Sequence, residues 1–369
     1  MLKFLNLPRV IDLLCFISLL LEFDSAFSKA QIPASFVFGD SLVDAGNNNY
    51  LLSLAKSDYA FNGVDFQGGG VATGRFSNGR TVADIIGQEL GLPNFTPVYL
   101  NPNTTGTAIL KGVNYASGGG GILDETGANL IQCIALGRQV KYFTNTKAQI
   151  VDLLGNTAAA ELLAKSLFSF TIGSNDYLNN FLLPLSPSPR IYTPQQFEDR
   201  IVSKFRECLT DVYNLGARKF FVAAVGPLGC IPSQLTFNFR VNGSCDPRIN
   251  ELIINLNKAV REMVLDLGST LPGSYFVYGN SYNIVADIIY NPLLYGFQRT
   301  DSACCGAVGP YNGLIPCFPV APLCPDRSAS FFWDAYHPSD AGNNIVARKF
   351  LDGNLNEVYP LNVRQLSAL

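Results

Sequence analysis

Short apolar runs alternate with longer stretches of helical spacing along most of the chain. Runs at 35–38, 113–116, 167–172, 219–225 and 275–278 have the length of buried strands. Apolar spacing predicts helices over 81–90, 139–165 with a break near Gly155, 194–215, 247–267 and 338–350. Strand–helix alternation of this kind predicts a parallel sheet covered by helices on both faces. A polar, glycine-rich segment at 62–80 reads as a surface loop, and 304–324 as a cysteine-rich loop. No internal repeat, low-complexity linker or composition boundary divides the chain, so residues 31–369 are expected to form one domain.

Four of the predicted strands end in small or polar residues. Phe38 runs into Gly39-Asp40-Ser41, and Ala116 into Ser117 and four glycines. Ile172 runs into Gly173-Ser174-Asn175-Asp176, and Val225 into Gly226-Pro227. In an open α/β sheet such turns collect at the carboxyl edge, where ligands bind. A serine at position 41 can therefore meet a substrate from a rigid support. If a helix follows, its N–H also points at the site and can stabilise an oxyanion. The alternative is that Ser41 only caps that helix.

Composition narrows the class. The 369 residues, 48% hydrophobic and 15% charged, suffice for one large core or two ordinary domains. A net charge of −3 without a basic run argues against nucleic acid as a partner. Lys3 and Arg9 precede an apolar stretch at 10–21, interrupted by Asp12, and Ser28-Lys29-Ala30 offers a small-x-small cleavage site before Gln31. Residues 1–30 thus read as a secretory signal. The stretch is too short to span a membrane, and no later segment has transmembrane length.

The cysteines agree with secretion. Cys15 lies in the signal, and Cys133, Cys208, Cys230, Cys245, Cys304, Cys305, Cys317 and Cys324 remain. An even number implies disulfides and no free thiol. Cys230 with Cys245 makes a local loop. Cys304 and Cys305 are expected to bond outward to different partners, with Cys317 and Cys324 the candidates. A zinc site is disfavoured because no Cys-x-x-Cys pair occurs and there is one histidine. Asn94, Asn103 and Asn242 each head an Asn-x-Ser/Thr triplet and are glycosylation candidates.

That histidine, His337, stands three residues after Asp334. A serine hydroxyl needs a base, and the base needs a carboxylate to fix its tautomer. Within one turn Asp334 can reach Nδ1 while Nε2 faces elsewhere, so this segment supplies two members of a triad and Ser41 the third. A lone histidine is otherwise a hydrogen-bonded structural residue; the nearby Asp and the independent serine favour catalysis. Acyl transfer also needs donors for an oxyanion. Gly119 can bring a bare N–H close, the Asn175 amide can add a second and the Ser41 N–H a third. Taken singly, each of these residues has a tight turn as its alternative reading. No Gly-x-Ser-x-Gly, Gly-x-Gly-x-x-Gly or phosphate-loop motif occurs, which argues against the α/β-hydrolase elbow and against a nucleotide enzyme.

Gly39-Asp40-Ser41-Leu42, Gly119 after Asn114-Tyr115-Ala116-Ser117, Asn175 in Gly-Ser-Asn-Asp, and Asp334-x-x-His337 resemble the four blocks of the GDSL or SGNH hydrolases. Gly74-Arg75-Phe76-Ser77-Asn78-Gly79-Arg80, Gly226-Pro227-Leu228-Gly229-Cys230 and Phe332-Trp333-Asp334 resemble the secreted plant GDSL esterase/lipase subfamily. The resemblance runs from about residue 35 to 350. It implies a flavodoxin-like three-layer α/β/α fold with a mainly parallel five-stranded sheet. It also implies cofactor-free hydrolysis of carboxylic esters of lipids or acylated cell-wall material, through an acyl-enzyme. Ser41, Asp334 and His337 would be the triad, and Ser41, Gly119 and Asn175 the oxyanion donors. An acyltransferase would use the same acyl-enzyme, and a silent wall-binding protein the same fold; the complete triad argues against the latter.

Overall fold

The core of the molecule starts from phenylalanines in register. In the computed structural model, which describes residues 32–67 and 69–369, five strands form one sheet in sequential order. They are β1 (Ser35–Gly39), β2 (Leu167–Thr171), β3 (Lys219–Ala223), β4 (Tyr275–Gly279) and β5 (Val358–Tyr359). The first four are parallel, and β5 runs antiparallel to β4. Pairing aligns Phe36, Phe168, Phe220 and Phe276 side by side across the sheet. Their rings stack at 4.9 Å between Phe36 and Phe168 and at 4.1 Å between Phe220 and Phe276. Two residues on, and so on the same face, Phe38 stacks on Phe170 at 4.7 Å. The strands read as continuous apolar runs because both faces are covered.

Among the described residues the covering layers are carried by α1 (Val82–Glu89), α2 (Leu136–Leu154), α3 (Asn156–Lys165), α4 (Pro194–Asn214), α5 (Pro247–Thr270), α6 (Ser281–Tyr290), α7 (Asp340–Asp352) and α8 (Val363–Ala368), besides the helix Pro232–Phe237. Helix α2 drives Phe143 against Phe36 and Phe168, and α4 brings Phe205 to Phe170. On the opposite face Phe350 of α7 meets Phe221 edge-on at 4.9 Å. Local chemistry sets the boundaries. Thr81 and Asp84 form a reciprocal cap on α1, as Thr193 and Gln196 do on α4. Gly155, at φ 78°, separates α2 from α3 at the expected break.

The mainly parallel five-stranded α/β/α arrangement is as the sequence predicts, with one substitution among the strands. Residues 113–116 lie beside β1 but pair through Asn114 alone, bridging Val37 on one side and Val98 on the other. The fifth strand is instead β5, two residues long and below any periodic signal. The predicted signal segment and Cys15 lie outside the described residues. No helix among the described residues is long and apolar enough to cross a membrane.

Candidate active site

The serine turn begins with a glycine that nothing else can replace. A Cβ on Gly39 would lie 2.3 Å from Val43 Cγ2 and 2.6 Å from the Thr171 carbonyl. Gln139, buried on α2, clamps this residue from the side. Its Oε1 accepts the Gly39 N–H at 2.9 Å and its Nε2 donates to the Gly39 carbonyl at 2.8 Å. The next N–H, from Asp40, donates to the Thr171 carbonyl, and the Asp40 carbonyl accepts from Val43 and Asp44. Asp40 Oδ1 accepts the Leu42 N–H at 3.0 Å, which closes the turn with Ser41 at its apex. Turns, not a helix, follow Ser41. The capping alternative is therefore absent, and so is a helix N-terminus behind the serine. Its N–H has no partner among the described residues, whereas those of Asp40 and Leu42 on either side are both engaged.

Asp334 and His337 occupy one tight loop, held from within by the Trp333 N–H donating to the His337 carbonyl at 2.8 Å. Two disulfides back this loop. Cys304 pairs with Cys324 and Cys305 with Cys317. The Cys304 and Cys305 N–H groups donate to the Phe332 and Trp333 carbonyls at 3.1 and 2.7 Å. Trp333 is fully buried and donates its indole N–H to Asn62 Oδ1 at 2.9 Å. This arrangement leaves His337 Nδ1 2.8 Å from Asp334 Oδ1 and Nε2 2.8 Å from Ser41 Oγ. Burial would raise the Asp334 carboxyl, but the His337 ring and the Tyr336 and His337 N–H groups outweigh it, holding Asp334 below the usual carboxylate range. The Phe76 ring lies 5.1 Å from the imidazole and covers it.

The glycine run resolves into distinct jobs. Gly118 donates its N–H to Asp44 Oδ2 at 3.1 Å, and Gly120 donates to the Ser117 carbonyl at 2.9 Å. Gly119, between them at φ 79°, has an N–H with no partner among the described residues, and it lines the cavity at Ser41. Asn175 opens from the turn after β2 and donates Nδ2 to the Gly120 carbonyl at 3.0 Å. Its neighbour Asp176 turns inward, accepting from Ile122 and Leu123 N–H and from Thr126 Oγ1 at 2.8–3.0 Å. Burial pushes both Asp44 and Asp176 up to about 6. All five sequence-predicted site residues, Ser41, Gly119, Asn175, Asp334 and His337, thus line or support one site at the carboxyl edge.

The cavity above them measures about 790 Å³ and is walled largely by apolar side chains, among them Leu42, Leu178, Leu182, Ile231, Phe332 and Phe350. That size suits a small organic ligand. Among the described residues no group of three His, Cys, Asp or Glu side chains could hold a metal ion. Gln139, Asp44 and Asp176 were not anticipated as site supports. Gln139 carried a signal: it is a polar residue in the buried stripe of Leu136, Val140 and Phe143.

Cysteine pairing differs in part from expectation. The three local bridges form, including Cys230–Cys245. Cys133 and Cys208, however, have no disulfide partner among the described residues. Cys208 faces the core from α4, while the Cys133 thiol turns to the Thr126 carbonyl at 3.4 Å. Burial pushes Cys208 up to about 12. Asn94, Asn103 and Asn242 are all exposed.

A serine, an imidazole and a carboxylate in hydrogen-bonded series, beside backbone donors unpartnered among the described residues, form a site able to perform acyl transfer. Residues 36–350 match the family model of GDSL-like lipases and acylhydrolases. Three Arabidopsis thaliana proteins named GDSL esterase/lipase resemble this chain along most of its length. One is 45% identical over 355 residues, covering 96% of each chain. A second is 46% identical, covering 91% of this chain and 88% of its own, and a third is 45% identical, covering 94% of each. The chain belongs to the GDSL-like lipase/acylhydrolase family.

Proposed function

We propose that this chain is a secreted serine ester hydrolase that cleaves carboxylic esters through an acyl-enzyme on Ser41. Its class, a carboxylic ester hydrolase, follows from the family. The observation that carries the mechanism is the unbroken series Ser41 Oγ, His337 and Asp334, with both hydrogen bonds at 2.8 Å. His337 Nε2 takes the Ser41 proton as Oγ attacks the ester carbonyl. The Ser41 N–H, the Gly119 N–H and the second Asn175 Nδ2 hydrogen hold the oxyanion. His337 then protonates the leaving alcohol, and water repeats the sequence to release the acid. Asp334 fixes the tautomer and favours the imidazolium.

The largely apolar walls of the cavity support an ester with a hydrocarbon chain, as in lipids or acylated wall material, because such a chain leaves water on binding against them. Three disulfides and exposed Asn94, Asn103 and Asn242 support secretion and glycosylation, with residues 31–369 as one catalytic domain. The test is labelling with an active-site phosphonate and hydrolysis of an ester panel, on wild type and Ser41→Ala. Label on Ser41 alone, with both label and turnover lost in the variant, is expected. A label on another serine, or none on folded protein, would refute the assignment.

A further inference from the structure

We infer that Asn179 is a positioning residue that fixes the orientation of the Asn175 amide. The inference rests on the oxyanion role proposed for Asn175. The Gly120 carbonyl can only accept, so the Asn175 group 3.0 Å from it must be the NH₂. That choice turns Asn175 Oδ1 the other way, where Asn179 Nδ2 donates to it at 2.7 Å. Asn179 Oδ1 in turn accepts from Asn129 Nδ2 at 3.3 Å. Each amide's orientation is thus dictated by the one before it. With Nδ2 spending one hydrogen on Gly120 and Oδ1 occupied by Asn179, the remaining Nδ2 hydrogen is the group left for an oxyanion.

The backbone is shaped to present Asn179. Residues Tyr177–Phe181 form one wide turn, closed by the Leu182 N–H donating to the Tyr177 carbonyl at 2.8 Å, and Asn179 sits in it at φ −109°, ψ 15°. Wide turns of this type recur at functional sites. The adjacent Asn180 is buried and pins the turn from the opposite side. It donates to Thr126 Oγ1 at 3.2 Å and accepts from Ser186 and Ser188 hydroxyls. Asn179 itself is half-buried and lines the cavity, so it faces the reacting space without being aimed at the reacting atoms. Without Asn179 the Asn175 amide keeps only the Gly120 anchor and can swing about it, which misaligns the donor in the transition state.

The experiment is a double-mutant cycle on kcat and KM with a short-chain nitrophenyl ester. Asn175→Ala should lose on the order of 10²–10³ in kcat. Asn179→Ala should lose about 10-fold in kcat with KM within about twofold, because the interaction matters chiefly in the transition state. The double variant should be no slower than Asn175→Ala alone, since a positioner has nothing left to position. Asn179→Asp keeps the shape, and hence the packing, but offers Asn175 Oδ1 an acceptor; it should lose at least as much as Asn179→Ala. It also answers the question should the alanine variant fold poorly. Losses that multiply in the double variant, or Asn179 variants with wild-type kcat, would overturn the relay while leaving the oxyanion assignment intact. Wild-type kcat in Asn175→Ala would overturn the oxyanion assignment itself.

Discussion

Replacing Asp334 by asparagine should cost this enzyme far less than losing the carboxylate usually costs a serine hydrolase. The reason is the way one oxygen is shared. Asp334 Oδ1 accepts from His337 Nδ1 at 2.8 Å and also from the Tyr336 and His337 N–H groups, each at 2.9 Å. Backbone N–H groups only donate, so the amide of Asp334→Asn must turn its oxygen toward them. His337 Nδ1 then still meets an acceptor, and the tautomer that leaves Nε2 free to take the serine proton is kept. What disappears is charge. A hydrogen bond to a charged group contributes about 1–1.5 kcal/mol more than a neutral one. That difference corresponds to roughly 5–15-fold in kcat/KM. Where asparagine imposes the wrong tautomer, losses are on the order of 10⁴.

Asp334→Ala is the contrasting case. It strands three donors at once, two of them buried and one partly so, and both activity and stability should fall steeply. The assay is kcat/KM on a soluble ester for both variants across neutral and alkaline pH, with urea unfolding to separate activity from folding. Asp334→Asn should lie within about 5–15-fold of wild type and Asp334→Ala well below it. An asparagine variant as slow as the alanine variant, while fully folded, would show that the amide turns its nitrogen to His337 and would refute the reasoning.

Two further outcomes follow from buried groups. Thiol titration of denatured, unreduced protein should find two reactive thiols, Cys133 and Cys208, if the chain is cut before Gln31, and a third if Cys15 is retained; none would contradict the pairing described. Stability should also depend on pH in a direction opposite to the common one. Burial pushes Asp40 up to about 7 and Asp44 and Asp176 up to about 6. The folded state therefore binds more protons than the unfolded one from about pH 4 upward, and stability falls as pH rises toward about 7. Below that window Asp84 and Asp334, both held low, reverse the trend. Urea midpoints should be higher near about pH 5 than near about pH 7.5, and Asp40→Asn, which keeps an acceptor for Leu42, should flatten the slope. A midpoint that rises over the same interval would contradict this.

How far the sequence was legible depended on the length scale of each signal. Buried parallel strands announce themselves as apolar runs, so β1 to β4 were readable to within a residue or two. So was the break at Gly155, where only glycine suits the backbone. Strand β5 has two residues and α8 six, too short for a period to emerge. The segment at 113–116 has strand composition, yet its neighbours pair with it through one residue only, a tertiary fact without local trace. The five residues that the fold brings to one cavity were legible as candidates because each follows an apolar run or belongs to the Asp334-x-x-His337 pair. Their supports were not. Asp44, Gln139 and Asp176 act across 50–100 residues of sequence, and only Gln139 breaks an apolar stripe. The thiols misled because an even cysteine count says nothing of distance.

The buried polar residues around the serine have a common physical cause. Loops that run beneath a surface carry backbone groups with no ladder to pair them. Here side-chain amides take the place of the ladder. Asn47 donates to the Asn114 and Ala116 carbonyls, and Asn48 to those of Ala55 and Gly118. Asn114 donates to the Val43 carbonyl, and Ser117 Oγ to Asn48 Oδ1. These bonds tie the serine turn to the glycine run, so neither can shift without the other. Against that background the two N–H groups unpaired among the described residues carry meaning. On either side of Ser41, the Asp40 and Leu42 N–H groups are both engaged; on either side of Gly119, so are those of Gly118 and Gly120. A network that satisfies its neighbours and leaves these two N–H groups without a partner among the described residues, at residues lining the cavity, suits the oxyanion role proposed for them. In that proposed role, donors held in place by their neighbours need little reorganisation when charge develops on a substrate carbonyl, which is the condition under which such donors contribute most.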